Sequence, residues 1–239
     1  MRPQDTNPPV AGTNNWMARA TFAQKEDPEG DGTYTDYWQQ KTGGRHIFTF
    51  DGTDQVDFVW GKLNDDQQQA LDIAAFNSGG NSSDMLDFIR GDHSNERSFG
   101  GPYRIRFSLL GDIINSNPVY IGAPTEALVI EGFPTFKNAN LTRQARVAVF
   151  ANDGMLHAFD GGIWDRDRAG TGERYDKVHD LGDGSELFAY VPQAVMPRLY
   201  AMTYGTEQQY MVDGQIATSD VFIDFDGDSD REWRTVALT

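Results

Sequence analysis

Two stretches hold residues whose type and spacing could do chemistry. The first runs Asp224-Phe225-Asp226-Gly227-Asp228-Ser229-Asp230-Arg231-Glu232, with an acidic residue at every second position. A calcium loop needs oxygen ligands converging from alternate positions while small residues let the backbone curl around the ion. On that spacing Asp224, Asp226 and Asp228 supply carboxylates, Asp230 a carbonyl or carboxylate, and Glu232 the ninth-position ligand. An EF-hand wants glycine sixth and glutamate twelfth, where this loop has Ser229 and Thr235, so it is not an EF-hand. The competing reading is a solvated acidic turn between two strands.

The second stretch is VFANDGMLHAFDGG, Val149 to Gly162, which brings His157 close in sequence to Asp153 and Asp160. Acid–base or nucleophilic work by His157 needs a positioned partner. Asp153 is expected in a turn, Asp160 ends the strand on the opposite parity, and no G-x-S-x-G elbow occurs. Asn, Asp and Gly tolerate the positive φ of tight turns, so Asn152-Asp153-Gly154 reads as the turn of a hairpin and Asp160-Gly161-Gly162 as its exit. His157 shares a face with Met155 and Phe159 by strand alternation, the position of a structural histidine.

Weaker candidates follow. Asp27, Glu29 and Asp31 form a second acidic loop with Trp38 where a twelfth-position acid is needed. Arg90-Gly91-Asp92 spells an integrin-ligand tripeptide but also fits a helix stop. The sequons at Asn81 and Asn140 matter only in a secretory eukaryotic setting.

The elements that must position these residues are mostly short strands. The chain has 239 residues with 12% aromatics, Gly 25 and Pro 10, a turn-rich globular composition. A net charge of -16 excludes non-specific nucleic-acid binding, which needs clustered Lys and Arg. The absence of cysteine excludes disulfides, thiolate metal sites and thiol nucleophiles. No apolar run approaches ~18 residues, and the start MRPQDTNPPVAG lacks an apolar core, so neither a membrane span nor a signal peptide is expected.

Residues 1 to about 44 read as loops. RHIFTF and VDFVW flank Asp51-Gly52 as a hairpin. Asn64 caps a helix over QQQALDIAAF, and Ser82-Ser83-Asp84 a shorter one over MLDFIRG, stopped by Gly91. From Tyr103 onward, YRIRFSLLG, PVYIGAP, ALVIEG, ARVAVFA, MLHAFDG, ELFAYVP, QYMVDG, SDVFID and WRTVAL read as strands at the spacing of a sandwich, barrel or propeller. A helical turn is expected within Val191 to Met202, broken by Pro197.

Five ordered blocks then carry a resemblance: FIRGDHSNE (Phe88 to Glu96), SLLGDIINSNPVYIGAP (Ser108 to Pro124), VFANDGMLHAFDGG, GSELFAYVPQAVMPRL (Gly184 to Leu199) and YMVDGQIATSDVFI (Tyr210 to Ile223). In order and spacing they resemble PilY1-type type IV pilus biogenesis and adhesion proteins over residues 85 to 239. The resemblance implies a mainly β chain, a partial β-propeller of quinoprotein-like blades with a small helical insert before it. Residues 1–100 would be a lead-in with a hairpin and two short helices, and 101–239 the first blades of a propeller truncated at its C-terminus. It further implies a non-enzymatic protein of the bacterial cell surface or pilus tip, associated with the outer membrane. Such a protein meets minor pilins or other tip components and a host or surface receptor, and affects fimbrium biogenesis, adhesion and twitching motility. Family members can carry an acidic calcium loop in the propeller, while the ligand set given above rests on spacing alone.

The alternatives are a dehydrogenase fragment dependent on pyrroloquinoline quinone (PQQ) and a purely structural propeller piece. Quinoprotein blades carry a similar N-D-G-x-L-x-A-x-D signature, interrupted here by Ile163 to Gly182. The sequence identifies no quinone-binding or catalytic residue, so calcium is the one cofactor expected.

Overall fold

A computed structural model of the chain describes residues 45–78, 81–106, 108–164, 178–180, 182–204 and 209–238. The acidic loop at Asp27 to Asp31 and most of the Ile163 to Gly182 insertion lie outside the described residues.

The first hairpin pairs β1 (Ile47–Phe50) with β2 (Gln55–Asp57). Its turn is set by Asp51, whose Oδ1 accepts the Thr53 and Asp54 amides at 2.8 Å each. Helix α1 (Asp65–Ser78) follows a reciprocal cap: Asn64 Oδ1 accepts the Gln67 amide and Gln67 Oε1 accepts the Asn64 amide. Helix α2 (Ser82–Arg90) is capped by Asn81, one residue earlier than expected, because its Oδ1 receives the Asp84 amide. Gly91 stops it at φ 124°, donating to the carbonyls of Asp87 and Phe88.

The blade proper is an antiparallel meander of β3 (Val119–Ile121), β4 (Gln144–Ala151), β5 (Met155–Trp164) and β7 (Glu186–Tyr190), with short β6 (Val178–Asp180) alongside β5. Four strands in this order make one propeller blade. At its β7 side, β1 adds in parallel, pairing Ile47 with Ala189 and Phe48 with Tyr190. A separate hairpin, β8 (Ala217–Ile223) with β9 (Glu232–Leu238), begins a second blade. The described sheets do not close on themselves, as a partial propeller requires.

Three expected strands are absent among the described residues. The described residues of Tyr103 to Gly111 make only an isolated bridge, from Tyr103 to Glu96, because their backbone and side chains bond to loop and helix groups, such as the Arg104 amide to Thr203 O. Ala127 to Gly132 runs exposed, with Val129 95% accessible, and leads into helix α3 (Phe133–Ala139). Tyr210 to Gly214 is bends and coil. The expected exit turn at Asp160 to Gly162 is also absent, since β5 continues to Trp164. Near Pro197 a 3-10 turn over Gln193–Arg198 precedes short helix α4 (Tyr200–Tyr204).

The main core lies between the helices and strands β1, β7 and β5. Leu71, Ala74, Met85, Phe88, Ile89 and Leu199 pack with Ile47, Met155 and Ala189. The second hairpin is anchored separately: Trp233 meets Phe133 edge-on at 4.8 Å, lies 5.4 Å from Phe222, and donates its indole N–H to Glu131 O at 2.7 Å.

Candidate functional site

The hairpin β4–β5 places His157 at the centre of a buried charge chain. Strand alternation sends it inward with Met155 and Phe159, and its ring stacks on Phe159 at 5.9 Å. Nδ1 lies 2.8 Å from Glu186 Oε1 and Nε2 3.0 Å from both oxygens of Asp153. Glu186 also accepts two parallel bonds from Arg45, Nε to Oε2 and Nη2 to Oε1, both 2.7 Å. The positioned carboxylates that chemistry at His157 would need therefore exist, and Asp153 does more than shape the turn. It also accepts the amides of Gly111 and Met155.

Burial alone would push the His157 pKa down, but the charge and hydrogen bond of Asp153 and the Glu186 carboxylate outweigh it and raise it to about 9. Glu186 behaves inversely: burial favours its neutral form, and Arg45 with His157 overrides that and holds its pKa well below the usual carboxylate range. With both nitrogens against carboxylates, the imidazole carries both protons and has no lone pair left to act as a base. His157 and Glu186 are each 0% exposed, so no substrate atom reaches them. The cluster holds the fold.

A second buried group explains Arg90-Gly91-Asp92. Arg106 donates from Nε to Glu96 Oε1 at 2.8 Å and from Nη2 to the Asp92 carbonyl, and its guanidinium lies 3.6 Å over the Phe88 ring. His93 Nδ1 sits 2.6 Å from the same Glu96 oxygen. Burial lowers the Arg106 pKa to about 10 against the opposing pull of Glu96. Arg90 itself donates to the carbonyls of Phe58 and Arg45. The tripeptide is a helix end locked into the core, not a presented loop.

The acidic loop joins β8 to β9 and is exposed throughout. Asp224 folds it by accepting the Gly227 amide on Oδ1 at 2.7 Å and the Ser229 amide on Oδ2 at 3.0 Å. Gly227 and Ser229 adopt φ 79° and 77°, which turns the chain back. Carboxylate oxygens of Asp224, Asp226 and Asp228 lie within 4.8 Å of one another. Asp230 and Glu232 are outside that group, and Glu232 is engaged by Arg234, whose Nε donates to Oε1 at 2.6 Å.

Glu186 and Arg45 were missed by sequence reasoning. The signal available was an acid opening the run ELFAY, at an inward position beside a histidine-bearing strand.

Comparison with known proteins accords with this architecture. A family model described as the PilY1 beta-propeller domain matches residues 110–238. The type IV pilus biogenesis factor PilY1 of Pseudomonas aeruginosa (strain PAK) is 36% identical over 200 residues, covering 76% of this chain and 14% of that protein. A type IV pilus biogenesis factor PilY1 homolog of Xylella fastidiosa (strain Temecula1) is 36% identical over 167 residues, covering 66% of this chain and 12% of that protein. The chain thus spans well under a fifth of the length of these curated relatives. No solved structure matches. With a four-stranded blade and the start of the next lying within the matched residues, the chain belongs to the PilY1 beta-propeller family.

Proposed function

We propose that this chain is a propeller segment of a type IV pilus biogenesis and surface adhesion factor, acting without catalysis. The observation that carries the reading is the family match over residues 110–238, laid on a meander blade whose buried His157 is saturated by carboxylates. The biogenesis role is the one that the PilY1 relatives are named for, and location at the pilus tip or bacterial surface, with minor pilins or tip components as partners, is part of the same proposal. No described helix is long and apolar enough to cross a membrane. A dehydrogenase reading gains nothing from the structure, since the Asn-Asp-Gly signature it shares is here a hairpin turn.

The same proposal gives the Asp224 loop a calcium ion. Three converging carboxylates are a hard-oxygen donor set of the right chemistry, and Asp224, Asp226 and Asp228 would hold the ion while clamping the β8–β9 turn. A solvated turn is the competing reading.

The experiment is genetic and direct. In the source bacterium, removal of residues 110–238 from the gene is expected to abolish surface pili and attachment, and reintroduction of the wild-type segment to restore both. Normal piliation after the deletion would sink the biogenesis reading.

A further inference from the structure

Strands β1 and β7 lie side by side and run in the same direction, with Ile47 opposite Ala189 and Phe48 opposite Tyr190. The chain enters this pair at the start of β1 and leaves it at the end of β7. Tension between residues before Arg45 and residues after Tyr190 therefore draws the two strands past each other along their length. Bonds that cross a pair loaded in this way are strained together. In a pair pulled apart from one end they fail one at a time.

The bonds that cross it are strong and dry. The Ala189 amide donates to His46 O at 2.8 Å and the Val191 amide to Phe48 O at 2.9 Å. Side chains fasten both ends: Arg45 donates twice to Glu186 where β7 begins, and Thr49 Oγ1 donates to Val191 O at 2.7 Å just past its end. Arg45, Thr49 and Glu186 are all buried, so no water is at hand to take over a bond as it stretches. The Arg45 carbonyl is held in addition by Arg90 of α2 at 3.1 Å.

Shape also opposes sliding. The Phe48 ring sits 5.4 Å from Phe188 and 5.5 Å from Tyr190, so β1 drawn toward its own start must carry Phe48 past the Phe188 ring. A slip of one residue would turn the buried Ile47 and Thr49 to the opposite face. The next register that keeps the faces lies two residues away, about 6.6 Å along the strand.

We propose that the parallel β1–β7 pair is a mechanical clamp, which keeps the first hairpin on the blade under tension along the chain and releases it only at high force. The clamp requires neither the biogenesis role nor calcium at the Asp224 loop.

The test pulls the same contacts in two directions. The chain has no cysteine, so two introduced ones fix where force is applied. His46, Thr53 and Gln193 are exposed and suit that purpose. Handles on His46→Cys with Gln193→Cys load the pair in shear, whereas Thr53→Cys with Gln193→Cys peels β1 from β7 starting at the ends where both strands stop. Single-molecule pulling at one speed is expected to show a rupture force at least about twofold higher in shear than in peeling. Adding Phe48→Ala or Thr49→Val is expected to lower the shear force. A shear-to-peel ratio below about twofold would overturn the proposal, as would a shear force unchanged by both substitutions. The ratio decides even if either substitution unfolds the chain, because the attachment points are on the surface.

Discussion

His157 Nδ1 lies 2.8 Å from Glu186 Oε1, and neither side chain is accessible to solvent. The pair joins the β4–β5 hairpin to β7, and through Arg45 it reaches the segment that opens β1. Four charges alternate along the chain, Arg45, Glu186, His157 and Asp153, so each buried ion has an opposite neighbour. Breaking such a chain costs more than its formation gains, because the remaining partner stays buried and uncompensated.

Replacing His157 by glutamine keeps much of the shape and removes the charge. The expected loss is about 3 kcal/mol of unfolding free energy, the lower end for one partner of a buried pair. Urea denaturation of the two proteins at neutral pH measures it, and a change within about 0.5 kcal/mol would show that the network contributes little net stability.

The pH dependence follows from the same histidine. Its pKa in the fold is raised to about 9 from 6.5, so the folded state binds the proton more tightly than the unfolded chain. That contribution is fully present below about pH 6.5 and is lost as pH rises through about 9. A melting temperature falling between pH 7 and 10 in the wild type, and flatter in His157→Gln, is expected. Glu186 has the opposite sign, its pKa being lowered, so its share is present above the ordinary glutamate range and is lost only in strong acid.

Hairpins and helices were legible wherever a local device sets them. Asp51-Gly52, Asn152-Asp153-Gly154 and the loop after Asp224 each close a hairpin through side-chain-to-amide bonds or positive φ. Asn64 likewise marks the start of α1. The apolar run Ala127 to Ile130 misled for a physical reason: β-branched residues favour a strand only where a neighbouring edge receives it, and among the described residues none does. Helix α3 was missed because its Phe133-Pro134 start carries no side-chain cap and follows Gly132 in the left-handed region. The charge chain was invisible for another reason, since Glu186 stands 29 residues from His157 and 141 from Arg45. Of the acidic loop, spacing located the three aspartates that converge and also named Asp230 and Glu232, which lie outside their group.

Calcium at the Asp224 loop has a thermal signature. At an ion concentration about a hundred times the dissociation constant, binding to the native state alone adds ~2.7 kcal/mol. Calorimetry is expected to show a higher melting temperature in calcium than in chelator, and Asp224→Asn to remove most of the difference. A wild-type melting temperature indifferent to calcium would leave the loop as a solvated turn.

Trp233 fastens the second hairpin to α3, so Trp233→Ala is expected to free that hairpin locally. The cost is about 2 kcal/mol, below that for a fully buried tryptophan because the ring is only half-buried. Hydrogen exchange reads the outcome: β8 and β9 amides should lose protection while those of β4 and β5 keep theirs. Uniform loss across both sheets would mean that the two parts unfold as one unit.

The parallel pairing of β1 with β7 sets a clock on synthesis. Arg45 leaves the ribosome 141 residues before Glu186, an interval of roughly 7 to 30 s at ordinary translation rates. Through that interval the β1 edge has no strand to join, and Arg45 has no carboxylate to meet. A contact of such sequence separation is slow to form. The early hairpin is therefore a waiting surface for anything that pairs with nascent strands, and the stage most exposed to misassembly ends only when β7 emerges.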